Sequence, residues 1–263
     1  MSHRKIKAVL FDLGDTILNF GQVAKTRVFL EGARATHAYL TELGQPVGRF
    51  PWYTLRYLVN LRTRHVLADV TGNDFDALTL LQKLGRRDGI SLTPEQWEHV
   101  VWLWYEPLGK LAVVEPDIKS TFEKLTNMGL KLGIVSNTFV NRSALERQMA
   151  ELGILDFFTV RMYSYEYAFR KPNPGIFKIA AEQVGEAFKS IAFVGDRIDK
   201  DIRPALQHGM VAALKDAYTN AGKKTPPGAW RIRNLSELPG LIEETNAQAA
   251  TPEPEAATAE SRK

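Results

Sequence analysis

The chain has 263 residues, 44% hydrophobic and 24% charged, the composition of a folded protein of one or two domains with its own core. It contains no cysteine, which excludes disulfides, thiolate metal sites and a cysteine nucleophile, and fits a reducing compartment. The net charge of +4 arises from 34 Lys+Arg against 30 Asp+Glu scattered along the chain, without the basic stripe of a nucleic-acid binder.

The apolar run behind Met1–Lys7 stops at Asp12, too soon for the core of a signal peptide. No later stretch approaches the length of a membrane span. A cytoplasmic location is therefore expected, with no membrane or nucleic-acid partner. Ala8-Val9-Leu10-Phe11, closed by Asp12-Leu13-Gly14-Asp15-Thr16, predicts a short buried strand. Residues 17–111 lack such runs and read as mainly helical. Phe29, Leu40, Leu55, Leu58, Leu61, Leu78, Leu81 and Leu84 supply their apolar stripes, and Trp97, Trp102, Trp104 and Tyr105 read as packing residues. Pro46, Pro51, Thr71-Gly72-Asn73 and Thr93-Pro94 punctuate the segment.

Ile118, Thr121, Phe122, Leu125 and Met128 follow helical spacing between Pro116 and Gly129. Leu132–Val135 predicts a second strand, ending at Ser136-Asn137, and Leu145, Met149 and Leu152 mark the helix after it. Ile191–Val194 predicts another strand, ending at Gly195-Asp196, with helical spacing again at Ile202, Ala205 and Leu206. Weaker strands are expected over 158–162 and 210–214. Lys223, Lys224, Arg231 and Arg233 surround Pro226-Pro227-Gly228 and read as a solvated loop. Residues 246–263, rich in Ala, Glu, Pro and Thr, read as a disordered tail.

Strands alternating with helices predict an α/β fold, a Rossmann-like doubly wound parallel sheet. Its core would comprise 1–16 and 112–245, with 17–111 as a helical insertion. Ligands of such sheets bind beyond the carboxyl ends of the strands, where Asp12, Ser136 and Asp196 all fall.

Four sites thus stand in order: Asp12-Leu13-Gly14-Asp15-Thr16, Ser136-Asn137, Lys171-Pro172, and Gly195-Asp196 followed by Asp201. This set resembles the haloacid dehalogenase (HAD) superfamily over about 6–16 and 113–241, and the insertion is similar to the helical cap that many members carry after their first strand. The resemblance implies a magnesium-dependent hydrolase of a small phosphorylated molecule. Asp12 would be the nucleophile, forming an aspartyl phosphate, although an Asp in that place also commonly shapes a turn. Ser136 would bind a phosphoryl oxygen or cap the next helix, with Asn137 beside it. Lys171 would balance the gathered negative charge, with Arg170 as the neighbouring competitor. Asp12, Asp196 and the Gly14 carbonyl would hold Mg2+, with Asp201 as a direct or supporting ligand and Asp199 as a helix-start bystander.

Gly14 departs from the pattern. Phosphatases of the resembled family place a second aspartate there, which protonates the leaving oxygen and later activates water. Losing such a group typically costs about 10²–10⁴-fold in rate. Asp15 next to it, or His37 or His65 in the insertion, are the candidate replacements. A binding or regulatory protein with little turnover is the competing reading. Dehalogenases and phosphonate-cleaving members also lack the second aspartate. The former need no metal, against the Gly-Asp…Asp motif, and the latter need a cap lysine, for which Lys25 and Lys83 are candidates. Arg56, Arg62 and Arg64 fall on or near one predicted helix of the insertion, where they form a solvated face or, alternatively, reach a substrate anion.

Overall fold

The computed structural model describes residues 5–167 and 169–250. Among them, six parallel strands form one sheet: β1 (Ala8–Phe11), β2 (Lys131–Ser136), β3 (Phe158–Tyr163), β4 (Ile191–Gly195), β5 (Val211–Lys215) and β6 (Trp230–Ile232). Their spatial order is β3-β2-β1-β4-β5-β6. Phe11 is in register with Ile134 of β2 on one side and Val194 of β4 on the other. The order reverses between β1 and β4, so the loops leaving β1 and β4 diverge and open a crevice at the carboxyl edge.

Sequence dictates the central position of β1. All four of its residues are buried, as an apolar run with no polar alternation requires when helices cover both sheet faces. Val9 and Phe11 face one core with Phe122 and Phe158, while Ala8 and Leu10 face the other with Phe177 and Phe193. The edge strand β6 was not expected: its three residues, Trp230-Arg231-Ile232, are too short for a periodic signal. It corrects the loop reading at Arg231, which donates from Nε to Asp216 Oδ1 at 2.7 Å, while residues 223–228 do form a loop.

Between β1 and the next core helix stand α1 (Lys25–Glu42), α2 (Phe50–Thr71), α3 (Ala77–Arg87) and α4 (Pro94–Gly109). Their starts follow local chemistry. Asp76 caps α3 through the amides of Leu78 and Thr79, and Thr93 forms a capping box with Gln96 ahead of α4. Trp97, Trp102 and Tyr105 are buried, as their packing reading requires, and Trp104 lies against Phe29 with ring centroids 4.8 Å apart. The core helices are α5 (Ile118–Asn127), α6 (Arg142–Glu151), α7 (Pro174–Val184), α8 (Arg203–Gln207) and α9 (Leu238–Ala250).

Helix α9 overturns the expected disorder over 246–250. Asn246 accepts the Ile6 amide at 2.6 Å and donates to its carbonyl at 3.2 Å. Composition alone misread this turn because one paired side chain, not an apolar stripe, holds it. The remainder of the expected tail, 251–263, lies outside the described residues. No helix among the described residues is long and apolar enough to cross a membrane.

Candidate active site

Asp12 follows β1 directly, and its amide donates to Val194 O at 2.8 Å, which fixes it at the rim between β1 and β4. Asp196 follows β4. Asp201 returns to the same point through a π-helical turn, Ile198–Ile202, that opens the helix ahead of α8. This return needs Gly195: a Cβ there would lie 2.5 Å from the Asp201 carboxyl. Asp12, Asp196 and Asp201 each place a carboxylate oxygen within 4.8 Å of the others, and all are buried.

One cation enters this cluster. Lys171 Nζ lies 2.7 Å from Asp12 Oδ1 and 2.7 Å from Asp201 Oδ1, with its side chain only 2% exposed. Its backbone is held by Asn137, which accepts the Lys171 amide at 2.9 Å and donates to the Lys171 carbonyl at 2.8 Å. Asn137, expected beside Ser136 at the substrate, lines the cleft with its amide bonded to the Lys171 backbone. Arg170, the competitor for the cationic role, turns instead to Asp74 Oδ1 at 2.8 Å. Ser136, buried at the end of β2, lines the same cleft.

The electrostatics follow from crowding three carboxyls around one ammonium out of water. Burial, then the charges of Asp12 and Asp201, pushes the Asp196 carboxyl up to about 8. Burial also pushes Asp201 up to about 6, against the opposing pull of Lys171. For Lys171 burial works to lower the pKa, but Asp12 and Asp201 outweigh it and hold the ammonium above its ordinary value. Both Asp201 oxygens are engaged, one by Lys171 and the other by the Arg197 amide at 2.9 Å. The Thr219 hydroxyl donates to Asp196 Oδ2, and Asn220 donates to the Asp196 carbonyl at 2.9 Å.

Several expected residues stand elsewhere. Lys25 and Lys83 are exposed on α1 and α3, and the lysines lining the cleft among the described residues are Lys171 and Lys200. Arg56 pairs with Asp88, and Arg62 and Arg64 are exposed; none of the three lines the cleft. His37 Nε2 sits 3.0 Å from Gly48 O, and the His65 ring lies against Phe139. Asp199 is exposed and pairs with Arg197 at 3.1 Å, as a bystander would. Asp15 lines the cleft, but its Oδ1 accepts the amides of Phe20 at 2.9 Å and Gly21 at 3.1 Å, with φ of 55° at its own Cα. Burial raises its pKa, opposed by those two bonds and one from Tyr218.

Sequence reasoning missed Asp74, Ser164 and Thr219. Asp74, between α2 and α3, accepts from Arg170 and from the Ser164 hydroxyl, and Ser164 in turn accepts the Thr138 amide at 2.9 Å. These contacts tie the helical insertion to the loops that carry Lys171 and Ser136, over 90 and 96 positions of chain that no local pattern spans.

An α/β sheet with three buried carboxylates and a lysine at its switch point puts a charged cleft where sheets of this class bind their ligands. Comparison with known proteins is specific. A family model described as haloacid dehalogenase-like hydrolase matches residues 6–209. Glyceraldehyde 3-phosphate phosphatase of Methanopyrus kandleri is 31% identical over 206 residues, which cover 78% of this chain and 82% of that protein. A HAD phosphatase structure from Thermococcus onnurineus superposes with a TM-score of 0.58 at 26% identity, over 90% of this chain and 98% of that one. A 2-haloacid dehalogenase structure from Pseudomonas syringae shares the fold, with a TM-score of 0.62 at 22% identity over 91% and 99% of the two chains. The chain belongs to the haloacid dehalogenase-like hydrolase family.

Proposed function

We propose that this protein hydrolyses the phosphate ester of a small metabolite through an aspartyl phosphate on Asp12, with a magnesium ion in the carboxylate cluster. The observation that carries the reading is the convergence of Asp12, Asp196 and Asp201 within 4.8 Å around the Lys171 ammonium. The similarity to a protein named as a phosphatase, over most of both chains, supports it.

The donor set fits a hard divalent cation. It offers carboxylate oxygens, carries more negative charge than Lys171 balances, and pushes the Asp196 pKa up to about 8 in the cation's absence. Asp12, Asp196 and the Gly14 carbonyl would hold the ion. Asp201, with both oxygens engaged, would orient Lys171 and the Arg197 amide. Bound there, Mg2+ would neutralise phosphoryl charge and orient the phosphate.

The protein's own groups supply the remaining steps. Lys171, paired with Asp12 Oδ1, draws the phosphoryl oxygens toward that carboxylate. Ser136 donates to one of those oxygens. Asp12 attacks phosphorus in line with the departing oxygen, and water then cleaves the acyl phosphate. Asn137 aims Lys171, and Thr219 fixes the rotamer of Asp196. A panel of phosphorylated metabolites assayed for phosphate release in Mg2+ tests the reading. Asp12→Asn is expected to abolish release; activity at the parent level in that variant, or none in the parent, would refute it.

A further inference from the structure

The cleft holds about 260 Å³. Its polar lining includes Ser136, Lys171, the carboxylates, Arg197, Lys200 and Tyr218. Its apolar wall comprises the partly buried Phe20, Leu108 and Val140 with the buried Leu18, Tyr105 and Leu145. Gly14 lies beside this apolar wall. A Cβ built on it would meet one atom within 4 Å, Cε2 of Phe20 at 3.9 Å. The space where a carboxylic acid at position 14 would stand is therefore open, and an aromatic ring borders it.

The Asp15 Oδ1 accepts the Phe20 and Gly21 amides, its carboxyl also takes a bond from Tyr218, and no described histidine lines the cleft. A leaving oxygen that receives no proton from position 14 departs as an anion. That is slow for an alkoxide and feasible for a phenolate, because a phenol is a stronger acid than a water-like alcohol by roughly six units. The same apolar wall that withholds a proton fits an aryl ring by edge or offset stacking on Phe20.

Resting on the phosphatase reading above, we infer that the cleft is built for aryl phosphate monoesters, whose phenolate leaves unprotonated while Phe20 holds its ring over Gly14. In the first step the Asp12 carboxylate forms a bond to phosphorus, and the bond from phosphorus to the aryl oxygen breaks with its electron pair. The phenolate takes a proton from solvent. In the second step water adds to phosphorus, the bond to Asp12 breaks, and the water's proton passes to solvent. With no base at position 14 this second step is slow, so the phosphorylated Asp12 accumulates.

The parent protein in Mg2+ is assayed with phenyl phosphate, ethyl phosphate and acetyl phosphate. Phenyl phosphate is expected to give a burst of about one equivalent of phenol per active site, followed by slower turnover. Ethyl phosphate is expected to react more slowly by at least about 10²-fold, and Gly14→Asp to close that gap by about the same factor. Phe20→Ala is expected to raise KM for phenyl phosphate about tenfold more than for acetyl phosphate. Equal rates for ethyl and phenyl phosphate, with no burst, would overturn the inference and leave the phosphatase reading standing. Cleavage of none of the three esters, together with none of the metabolite panel, would overturn both.

Discussion

Lys171 Nζ stands 2.7 Å from Asp12 Oδ1, across 159 positions of sequence, with both side chains nearly sealed from solvent. The same nitrogen is 2.7 Å from Asp201, so one ammonium holds two carboxylates together. Removing it leaves buried charge without a partner, which is far more costly than losing a surface pair.

Lys171→Met should therefore cost about 3–5 kcal/mol of folding stability. It should also lower phosphate release by about 10²–10³-fold. Urea denaturation alongside the assay reads both effects. Unchanged stability would mean that the pair is not the strut its geometry implies.

Magnesium should raise the melting temperature, and more so as pH rises. The Asp196 pKa is raised from 3.8 to about 8 in the folded state, so the native protein binds more protons than the unfolded chain between those values. Its metal-free stability accordingly falls as pH climbs from about 4 to about 8. A cation replaces the missing proton, and its stabilisation should be larger at pH 8 than at pH 6. Asp196→Asn should flatten both dependences. Calorimetry with Mg2+ and with a chelator at the two pH values decides; an equal shift at both would contradict the sign.

Asp74 offers a test at a distance from Asp12. Its side chain is 3% exposed and that of its partner Arg170 12%, so Asp74→Ala should cost about 3–5 kcal/mol. Arg170→Met should be similarly harmful. The double variant should cost less than the sum of the two, because neither charge is then left alone. A strictly additive cycle would remove the pair from the account.

Gly195→Ala should damage the site while leaving the sheet intact. The new methyl would sit 2.5 Å from the Asp201 carboxyl, which is pinned by Lys171 and Arg197. Crowding of this kind costs about 1–3 kcal/mol. Displacement of Asp201 should also lower kcat by at least about tenfold, since a misplaced supporting group spoils alignment. Parent-like kcat would show that the Asp201 position is not needed.

The carboxyl edge of the sheet was largely legible in the sequence, because β1, β2 and β4 are short apolar runs that stop at chemically distinctive residues. Asp12, Ser136 and Asp196 could be placed at strand ends from that pattern alone. The pairing of Lys171 with Asp12 came from resemblance, since a lysine among prolines carries no signal of its destination. The deployment of Arg170 toward Asp74, and of Thr219 onto Asp196, was invisible because these bonds join segments with no shared periodicity. Strand β6 hid in a basic, proline-flanked stretch, where three residues of sheet look like loop. Gly14 shows both sides of this limit. Its lack of a carboxyl is plain in the sequence, but the open space and the Phe20 ring beside it emerge only when the chain is folded.

The bonds between Ile6 and Asn246 join positions 240 apart at the amino end of β1, the edge of the sheet opposite the cleft. Residues 6 to 246 thus make a nearly closed circuit whose seam faces away from the chemistry. A fusion partner or surface tether attached at that seam would leave the mouth of the cleft unobstructed, and a short bridge across it would suit circular permutation.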